Sequence, residues 1–168
     1  MFACLLPHFR IARVEELTPE RLCAMKIRAL LLDADCTLKR YSAEDCTPEV
    51  AAWLQSLRTA GIGLCLVSNG LGPRIRRFAE RLRLPFVAKA MKPLPWGCRR
   101  AVRTCGFLPD QTAIVGDQLF ADVLAGRLAG LTTILVAPIH PEEEPWFTRV
   151  KRAPERFLLR RTGDFEMG

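Results

Sequence analysis

Polar side chains of a few chemically versatile types follow four apolar runs of this chain. The set consists of Asp33 and Asp35 after the first run, Ser68 after the second, Lys92 shortly after the third and Asp117 after the fourth. If these runs are parallel strands, their carboxyl ends share one edge of a sheet, where α/β proteins bind ligands. Carboxylates, a hydroxyl and an ammonium at such an edge have the chemistry needed for phosphoryl transfer.

Each of these groups has a distinct role available in that reaction. Asp33 and Asp117 can bind Mg²⁺, which prefers hard oxygen ligands, and the ion would shield Asp33 as it attacks an anionic phosphorus. Asp35 can protonate the leaving oxygen and then activate water. Ser68 and nearby backbone N–H groups can donate hydrogen bonds to the phosphoryl group, while Lys92 holds a fixed positive charge against it.

Asp122, five residues after Asp117, is a candidate to orient Lys92 or the waters of the metal. Each feature is common by itself, because Gly-Asp turns and Ser-Asn caps recur in loops. Their order along the chain is what makes the combination specific.

The intervening sequence predicts the elements that would position these residues. Five apolar runs, typical of parallel strands buried on both faces, are found at residues 27–32, 62–67, 85–88, 112–115 and 132–137. Helical patterns lie between them, at about residues 47–60, 72–82, 95–105 and 119–129. A short helix with Thr18 as cap and Pro19 in its first turn precedes the first run. This alternation predicts an α/β fold, doubly wound, with a mainly parallel five-stranded sheet.

Length and composition favour one ordered domain over residues 1–168, with its core at about 25–140. The chain has 168 residues, 49% of them hydrophobic and 26% charged, which excludes a wholly disordered protein. No apolar run approaches the roughly 18 residues of a membrane span, and the first residues lack the pattern of a secretory signal. Seven cysteines without CxxC spacing argue against a zinc site or a disulfide framework and favour a reducing, cytoplasmic or organellar-matrix setting.

The net charge of +7 favours anionic partners such as phosphoesters or an acidic membrane surface. A basic tail occupies residues 146–168, where six cations alternate with aromatic and aliphatic residues. This tail could dock on an anionic surface; a solvated tail that packs its apolar residues on the domain is the simpler interpretation.

The order of the motifs resembles the haloacid dehalogenase superfamily of aspartate-nucleophile phosphatases. Its signature is matched by DADCT at 33–37, by Ser68, by Lys92, and by Gly-Asp at 116–117 with Asp122. Three further segments are similar to the YqeG-like phosphatases and the related mitochondrial phosphatidylglycerophosphatases, namely AMKP at 90–93, VGDQL at 115–119 and LVAPI at 135–139.

This resemblance implies a nucleophile at Asp33 and a general acid/base at Asp35. It also implies Mg²⁺ held by Asp33, Asp117 and the main-chain carbonyl of Asp35, with Asp122 behind them. Contacts to the substrate phosphate are expected from Thr37, Ser68, Asn69 and Lys92. The chain departs from the subfamily pattern at Cys36 and at Gly70, where asparagine is frequent.

The spacing of the motifs predicts no cap domain, because one helix and one strand fill most of the chain between Asp35 and Ser68. A second such pair fills the chain between Ser68 and Lys92. An open site excludes water poorly from a small substrate but admits a phosphate carried by a lipid, a protein or a nucleic acid. The charge and the resemblance favour phosphatidylglycerophosphate at a peripheral, anionic membrane surface.

Other classes of function stay open at this stage. The fold could serve as a binding module without catalysis, although the intact set of Asp33, Asp35, Lys92 and Asp117 argues against that. A phosphoacceptor is chemically possible, but the second aspartate favours turnover. A nucleic-acid-associated protein is not expected, because the basic residues are dispersed and no clustered basic helix carries stacking aromatics. His140 follows the last apolar run, near the expected active edge, where it could contact substrate; a solvated loop histidine is the simpler interpretation.

Overall fold

The structure is a computed structural model that describes residues 5–143, residue 146 and residues 154–155. Six parallel strands form one sheet in the order β1-β6-β5-β2-β3-β4. In chain order they are β1 (Phe9–Ile11), β2 (Ala29–Leu32), β3 (Gly63–Val67), β4 (Phe86–Val87), β5 (Thr112–Gly116) and β6 (Thr132–Val136).

Five α-helices connect the strands. They are α1 (Pro19–Ala24), α2 (Pro48–Thr59), α3 (Gly72–Leu82), α4 (Trp96–Cys105) and α5 (Leu124–Ala129). The predicted caps are present, since the hydroxyls of Thr18 and Thr47 accept from backbone N–H groups three residues later. One predicted helix differs: residues 119–129 are not continuously α-helical, because a π-helical turn at Leu119–Val123 precedes α5.

The two faces of the sheet bury separate apolar clusters, as a doubly wound fold requires. Along β2, Leu30 and Leu32 pack into the cluster that also contains residues of α1, α2 and α3. Leu31 points the other way, into the cluster with residues of α4 and α5. The period of two along a strand thus explains why the run at 29–32 is apolar throughout.

The sheet has one strand more than predicted. β1 pairs with β6 at the edge, from Phe9 opposite Ile134 to Ile11 opposite Val136. It has three residues, with Arg10 at its centre, and only Ile11 is buried. So short a segment carries no hydrophobic period, and pairing with β6 is what makes it a strand.

No inserted domain interrupts residues 5–143, which agrees with the predicted open site. No helix of the described part of the chain is long and apolar enough to cross a bilayer. The described cysteines form no disulfide, and three of the six are buried.

Most of the predicted basic tail lies outside the described residues. Glu155 packs on the domain, because its buried carboxylate accepts a hydrogen bond of 2.9 Å from the backbone N–H of Phe120.

Candidate active site

The carboxyl ends of β2 and β5, which are neighbours in the sheet, bring two aspartates together. The backbone N–H of Asp33 continues the ladder by donating to the Val115 carbonyl at 3.0 Å. Asp117 directly follows β5. The buried hydroxyl of Thr37 donates to Asp117 Oδ1 at 3.0 Å and lies 3.5 Å from Asp33 Oδ2. Thr37 therefore joins the two carboxylates, and its predicted contact with the substrate phosphate stays a prediction.

Lys92 lies at the centre of this site. Its ammonium donates to Asp33 Oδ1 at 2.6 Å and to Asp122 Oδ1 at 2.5 Å, and all three side chains are buried. The other oxygen of Asp122 accepts from the backbone N–H of Gln118 at 3.1 Å. Asp122 thus holds Lys92, which is one of the two roles that the sequence suggested for it.

The π-helical turn and one glycine make room for Asp122. A Cβ atom at residue 116 would overlap the Asp122 carboxylate, so only glycine fits at the end of β5. The turn at Leu119–Val123 directs that carboxylate back over Gly116 and toward Lys92. π-Helical turns are frequent at functional sites, and here the turn positions a buried acid.

The site brings three acidic side chains close to one ammonium. Asp33, Asp117 and Asp122 each place a carboxylate oxygen within 4.8 Å of the others. Lys92 pairs with two of them, Asp33 and Asp122, in a buried cluster. A divalent cation fits the all-oxygen donor set of these acids. Since both oxygens of Asp122 are taken by Lys92 and Gln118, Asp33 and Asp117 are the better placed ligands.

The same crowding shifts two pKa values. Burial, with the nearby charges of Asp122 and Asp117, raises the pKa of Asp33 to about 8, although Lys92 acts in the opposite direction. Burial lowers the pKa of Lys92, but Asp122 and Asp33 outweigh that effect and hold it above its usual value. Lys92 therefore stays charged, while Asp33 takes up a proton readily unless another cation compensates it.

We expect the stability of the metal-free protein to fall between about pH 4 and pH 8. An acid whose pKa is raised on folding binds its proton more tightly in the native state, so its contribution is complete below the unfolded pKa and is lost as the pH rises through the folded one. Because each pKa unit corresponds to about 1.36 kcal/mol, Asp33 should account for a loss of several kcal/mol over this range. Urea unfolding of wild type and of Asp33→Asn, both in the presence of a chelator, measures the part of this loss that Asp33 causes.

Mg²⁺ added at pH 8 should recover much of this stability, because a ligand that binds only the native state raises the free energy of unfolding. Equal pH profiles for wild type and Asp33→Asn would contradict the assignment of this titration to Asp33.

Ser68 and Asn69, at the end of β3, have different local roles. Ser68 is buried, and its hydroxyl oxygen accepts from the backbone N–H of Gly70 at 3.0 Å. The Asn69 amide makes two hydrogen bonds to the main chain of Lys92, accepting from its N–H and donating to its carbonyl, both at 2.8 Å. Asn69 therefore holds the loop that carries Lys92. The contact of Asn69 with the substrate phosphate, which the sequence suggested, stays a prediction.

Replacing Asn69 with alanine should lower kcat/KM about 10- to 100-fold, as is typical when a residue that orients an active-site group is lost. The fold should survive, because the amide is only partly buried. Steady-state kinetics with thermal unfolding as control checks this. Asn69→Asp keeps the acceptor for the Lys92 N–H but loses the donor, so it should fall between wild type and alanine. Activity within twofold of wild type in Asn69→Ala would contradict the positioning role.

The carboxylate of Asp35 points away from the cluster and into a separate ionic network. Arg74 donates to it through two nitrogens, both at 2.8 Å, and Lys39 Nζ lies 2.7 Å from it. Arg74 also donates to the carbonyl of Tyr41 at 2.5 Å and lies over its ring. The side chain of Asp35 is therefore not among the clustered carboxylates, and its predicted roles, as acid/base and through its carbonyl as metal ligand, stay predictions.

Arg74 and Lys39 are site residues that the sequence reasoning missed. The spacing of four between Asp35 and Lys39 is a pairing signal only in a helix, whereas here a tight turn joins them. His140, by contrast, is half-exposed and bonded to Glu142 at 2.7 Å, as expected of a loop histidine.

Comparison with known proteins assigns this geometry to a family. The model of the haloacid dehalogenase-like hydrolases matches residues 10–130. The chain belongs to that family. The predicted fold and the resemblance are both confirmed, and phosphatase activity follows from the named relatives.

Two curated relatives are phosphatases. The chain is 34% identical over 154 residues to the probable phosphatase YqeG of Bacillus subtilis, covering 92% of this chain and 89% of that protein. It is 32% identical over 112 residues to a phosphoserine phosphatase of Thermus thermophilus, covering 58% of this chain and 45% of that one.

Solved structures of this hydrolase family share the fold at low identity. The cobalt-bound deoxy-D-mannose-octulosonate 8-phosphate phosphatase YrbI of Haemophilus influenzae has a TM-score of 0.54 at 19% identity, over 75% of each chain. The 3-deoxy-D-manno-octulosonate 8-phosphate phosphatase of Yersinia pestis has a TM-score of 0.55 at 17% identity, over 74% of this chain and 70% of that one.

Proposed function

We propose that this haloacid dehalogenase-like hydrolase is a Mg²⁺-dependent phosphomonoesterase that forms an aspartyl phosphate on Asp33. Its substrate is a phosphate presented at an anionic membrane surface, such as phosphatidylglycerophosphate. The observation that carries the reaction is the buried contact of Lys92 with Asp33 and Asp122, beside Asp117 and Thr37.

The side chains divide the reaction into two balanced steps. In the first, a carboxylate oxygen of Asp33 forms a bond to phosphorus, and the ester oxygen leaves with a proton from Asp35. In the second, Asp35 takes a proton from water, which attacks the phosphorus and releases inorganic phosphate and free Asp33. Lys92 and Ser68 stabilise the charge of the phosphoryl group in both steps.

Mg²⁺, held by Asp33, Asp117 and the Asp35 carbonyl, would neutralise charge on the phosphoryl oxygens. The close approach of three buried carboxylates supports a divalent ion there. Thr37 contributes by fixing Asp117 relative to Asp33.

An exposed apolar rim beside the site supports a membrane-bound substrate. We define the rim as Leu71, Met91, Leu94 and Trp96, of which Leu71, Trp96 and Met91 are 71%, 59% and 56% exposed. Its loops adjoin one another, because Asn69 bonds to Lys92 and the Lys89 N–H donates to the Gly70 carbonyl. Large apolar side chains clustered around an open catalytic edge mark an interaction surface.

The charge of the chain agrees with this interpretation. A surplus of seven positive charges favours binding to anionic lipid, to which each cation near the surface contributes about 1 kcal/mol. The resemblance to phosphatidylglycerophosphatases, together with this rim, makes phosphatidylglycerophosphate the best-supported substrate. A small soluble phosphate ester is the second candidate, because the absence of a cap within residues 5–143 also leaves the edge open to it.

The deciding experiment measures phosphate release from phosphatidylglycerophosphate vesicles and from an aryl phosphate, with Mg²⁺ or with chelator. Release from the vesicles that needs Mg²⁺ supports the whole proposal. Turnover of the aryl phosphate alone would keep the phosphatase and reject the lipid. A rim variant, Leu71→Ser with Trp96→Ser, should slow only the vesicle reaction, while Leu108→Ser changes an exposed leucine outside the rim and serves as the matched control.

A further inference from the structure

A cationic cavity of about 180 Å³ lies beside Asp35. Four of its lining residues carry positive charge, namely Lys39, Arg74, Arg77 and Arg81, and one, Glu44, carries a negative charge that interacts with Arg81 and, more weakly, with Arg77. The three arginines belong to α3 at spacings of three and four, which places them along one face of that helix. Since α3 begins just after Ser68, at the catalytic edge, Arg74 is the nearest to the site and Arg77 lies about 4.5 Å farther along the axis.

The cavity and the catalytic edge share a wall. Arg74 and Lys39 both line the cavity, and both hold the carboxylate of Asp35 at 2.7–2.8 Å. In the proposed reaction Asp35 protonates the leaving oxygen. The leaving oxygen must therefore lie beside Asp35. The atoms of the leaving group that follow this oxygen then lie next to Arg74 and Lys39.

The cations that line the cavity differ in how far neighbouring groups already neutralise their charge. Lys39 is buried, and its ammonium donates to Asp35 and to the carbonyls of Ala43 and Arg40. Arg81 pairs with the exposed acids Glu44 and Asp45, at 2.8 and 2.9 Å. These two cations are structural parts of the wall.

Arg77, between Arg74 and Arg81, differs from both. Within the described part of the chain, no carboxylate lies within ion-pair distance of it. It is exposed, so its guanidinium is available to a ligand in the cavity. Arg74 lies on the same face with its side chain 35% exposed; its guanidinium is bonded to Asp35 and Tyr41, so it adds positive charge beside Arg77.

We propose that this cavity binds a second anionic group of phosphate type, carried by the leaving group of the substrate, with Arg77 as its main contact and Arg74 beside it. The inference rests on the proposed function, because it places Asp35 at the leaving oxygen. The phosphodiester of a phosphatidylglycerol leaving group and the second phosphate of a soluble bisphosphate have the required chemistry in common. Planar guanidinium groups suit such oxyanions because they donate two parallel hydrogen bonds.

The test compares kcat/KM for propyl phosphate and for 1,3-propanediol bisphosphate. Beyond the twofold statistical factor of two equivalent phosphates, wild type should prefer the bisphosphate by about tenfold, as expected for one charge-assisted contact. Arg77→Glu should abolish this preference, because it should lower kcat/KM for the bisphosphate far more than for propyl phosphate. Arg76→Glu is the matched control, since Arg76 is an exposed neighbour on α3 that does not line the cavity, and it should retain the preference.

A second arm distinguishes the two sources of the anion. If Arg77→Glu slows hydrolysis of phosphatidylglycerophosphate in detergent micelles by a similar factor, the cavity takes the lipid phosphodiester; if it affects only the soluble bisphosphate, the cavity takes that class. Either result supports the proposal. No preference in wild type, or equal losses in Arg77→Glu and Arg76→Glu, would overturn it.

If the protein hydrolyses none of these esters, the proposed function is wrong. The proposal about the cavity is then tested separately, by measuring how tightly the protein binds the two phosphates. Calorimetry on Asp33→Asn should then show tighter binding of the bisphosphate than of propyl phosphate, a difference lost in Asp33→Asn with Arg77→Glu. Equal binding of both ligands would reject the cavity as well.

Discussion

Asp33→Asn should abolish phosphate release, by at least about 10⁴-fold in kcat, which is the scale seen when a covalent nucleophile is removed. The amide keeps the size of the carboxylate but cannot form the aspartyl phosphate. The fold should persist, because Lys92 retains its ion pair with Asp122 and one of three crowded acidic groups is removed. We therefore expect a folded and inactive protein.

Phosphate release by purified protein, with circular dichroism and urea unfolding as folding controls, measures this. Asp110→Asn is the matched substitution, since Asp110 lies on an exposed turn at the opposite end of β5, and it should keep full activity. Acid-stable, hydroxylamine-labile phosphate on wild type and none on Asp33→Asn would identify the intermediate. Metal-dependent turnover by Asp33→Asn above about 1% of wild type would rule out Asp33 as the nucleophile.

The sequence predicted the meeting of Asp33 with Asp117 because parallel topology alone determines it. β2 is apolar throughout and β5 has an apolar centre at residues 113–115, a pattern that predicts buried parallel strands, and residues directly after parallel neighbours share an edge. Lys92 was predicted less directly, from its order among the motifs. Its actual position depends on the Asn69 amide and on a loop that no local pattern specifies.

The network around Asp35 was beyond prediction for a different reason. Arg74 is separated from Asp35 by 39 positions of sequence. Without knowledge of that partner, an arginine in the first turn of a helix is an ordinary surface residue.

The backbone conformation of Cys36 was equally impossible to predict from the sequence. Its backbone lies in the left-handed region, with φ 62, which asparagine adopts more easily than cysteine. That agrees with asparagine being frequent there in the related phosphatases, yet nothing in the residue itself reveals the turn.

The edge strand β1 was missed because short edge strands form through pairing and not through their own period. The side chain of His8 assists that pairing, because its Nδ1 accepts from the backbone N–H of Thr133 at 2.9 Å. The central strands were predictable to within two residues, since burial on both faces leaves an unbroken apolar run. Predictability thus followed burial, highest at the centre of the sheet and lowest at its edge and in its loops.

Lys92→Met should be both inactive and unstable, and its instability should respond to metal. Removing one partner of a buried ion pair leaves the other charge uncompensated and costs about 3 to 5 kcal/mol. Here Asp33 and Asp122, which lie beside Asp117, would lose the ammonium that pairs with both. The loss of the fixed charge on the phosphoryl group should lower kcat about 10²- to 10³-fold as well.

The response to Mg²⁺ distinguishes an electrostatic role of Lys92 from a role in packing alone. In the variant the divalent ion takes over the positive charge that Lys92 supplied to the acids, so it should raise the free energy of unfolding at pH 8 more than it does in wild type. Urea unfolding of both proteins in chelator and in Mg²⁺ measures that difference. Lys89→Met, an exposed lysine of the same loop, is the control and should match wild type. Equal stabilisation of wild type and Lys92→Met by Mg²⁺ would contradict this. It would mean that the metal does not compensate the carboxylates that Lys92 compensates, and that it binds outside the carboxylate cluster.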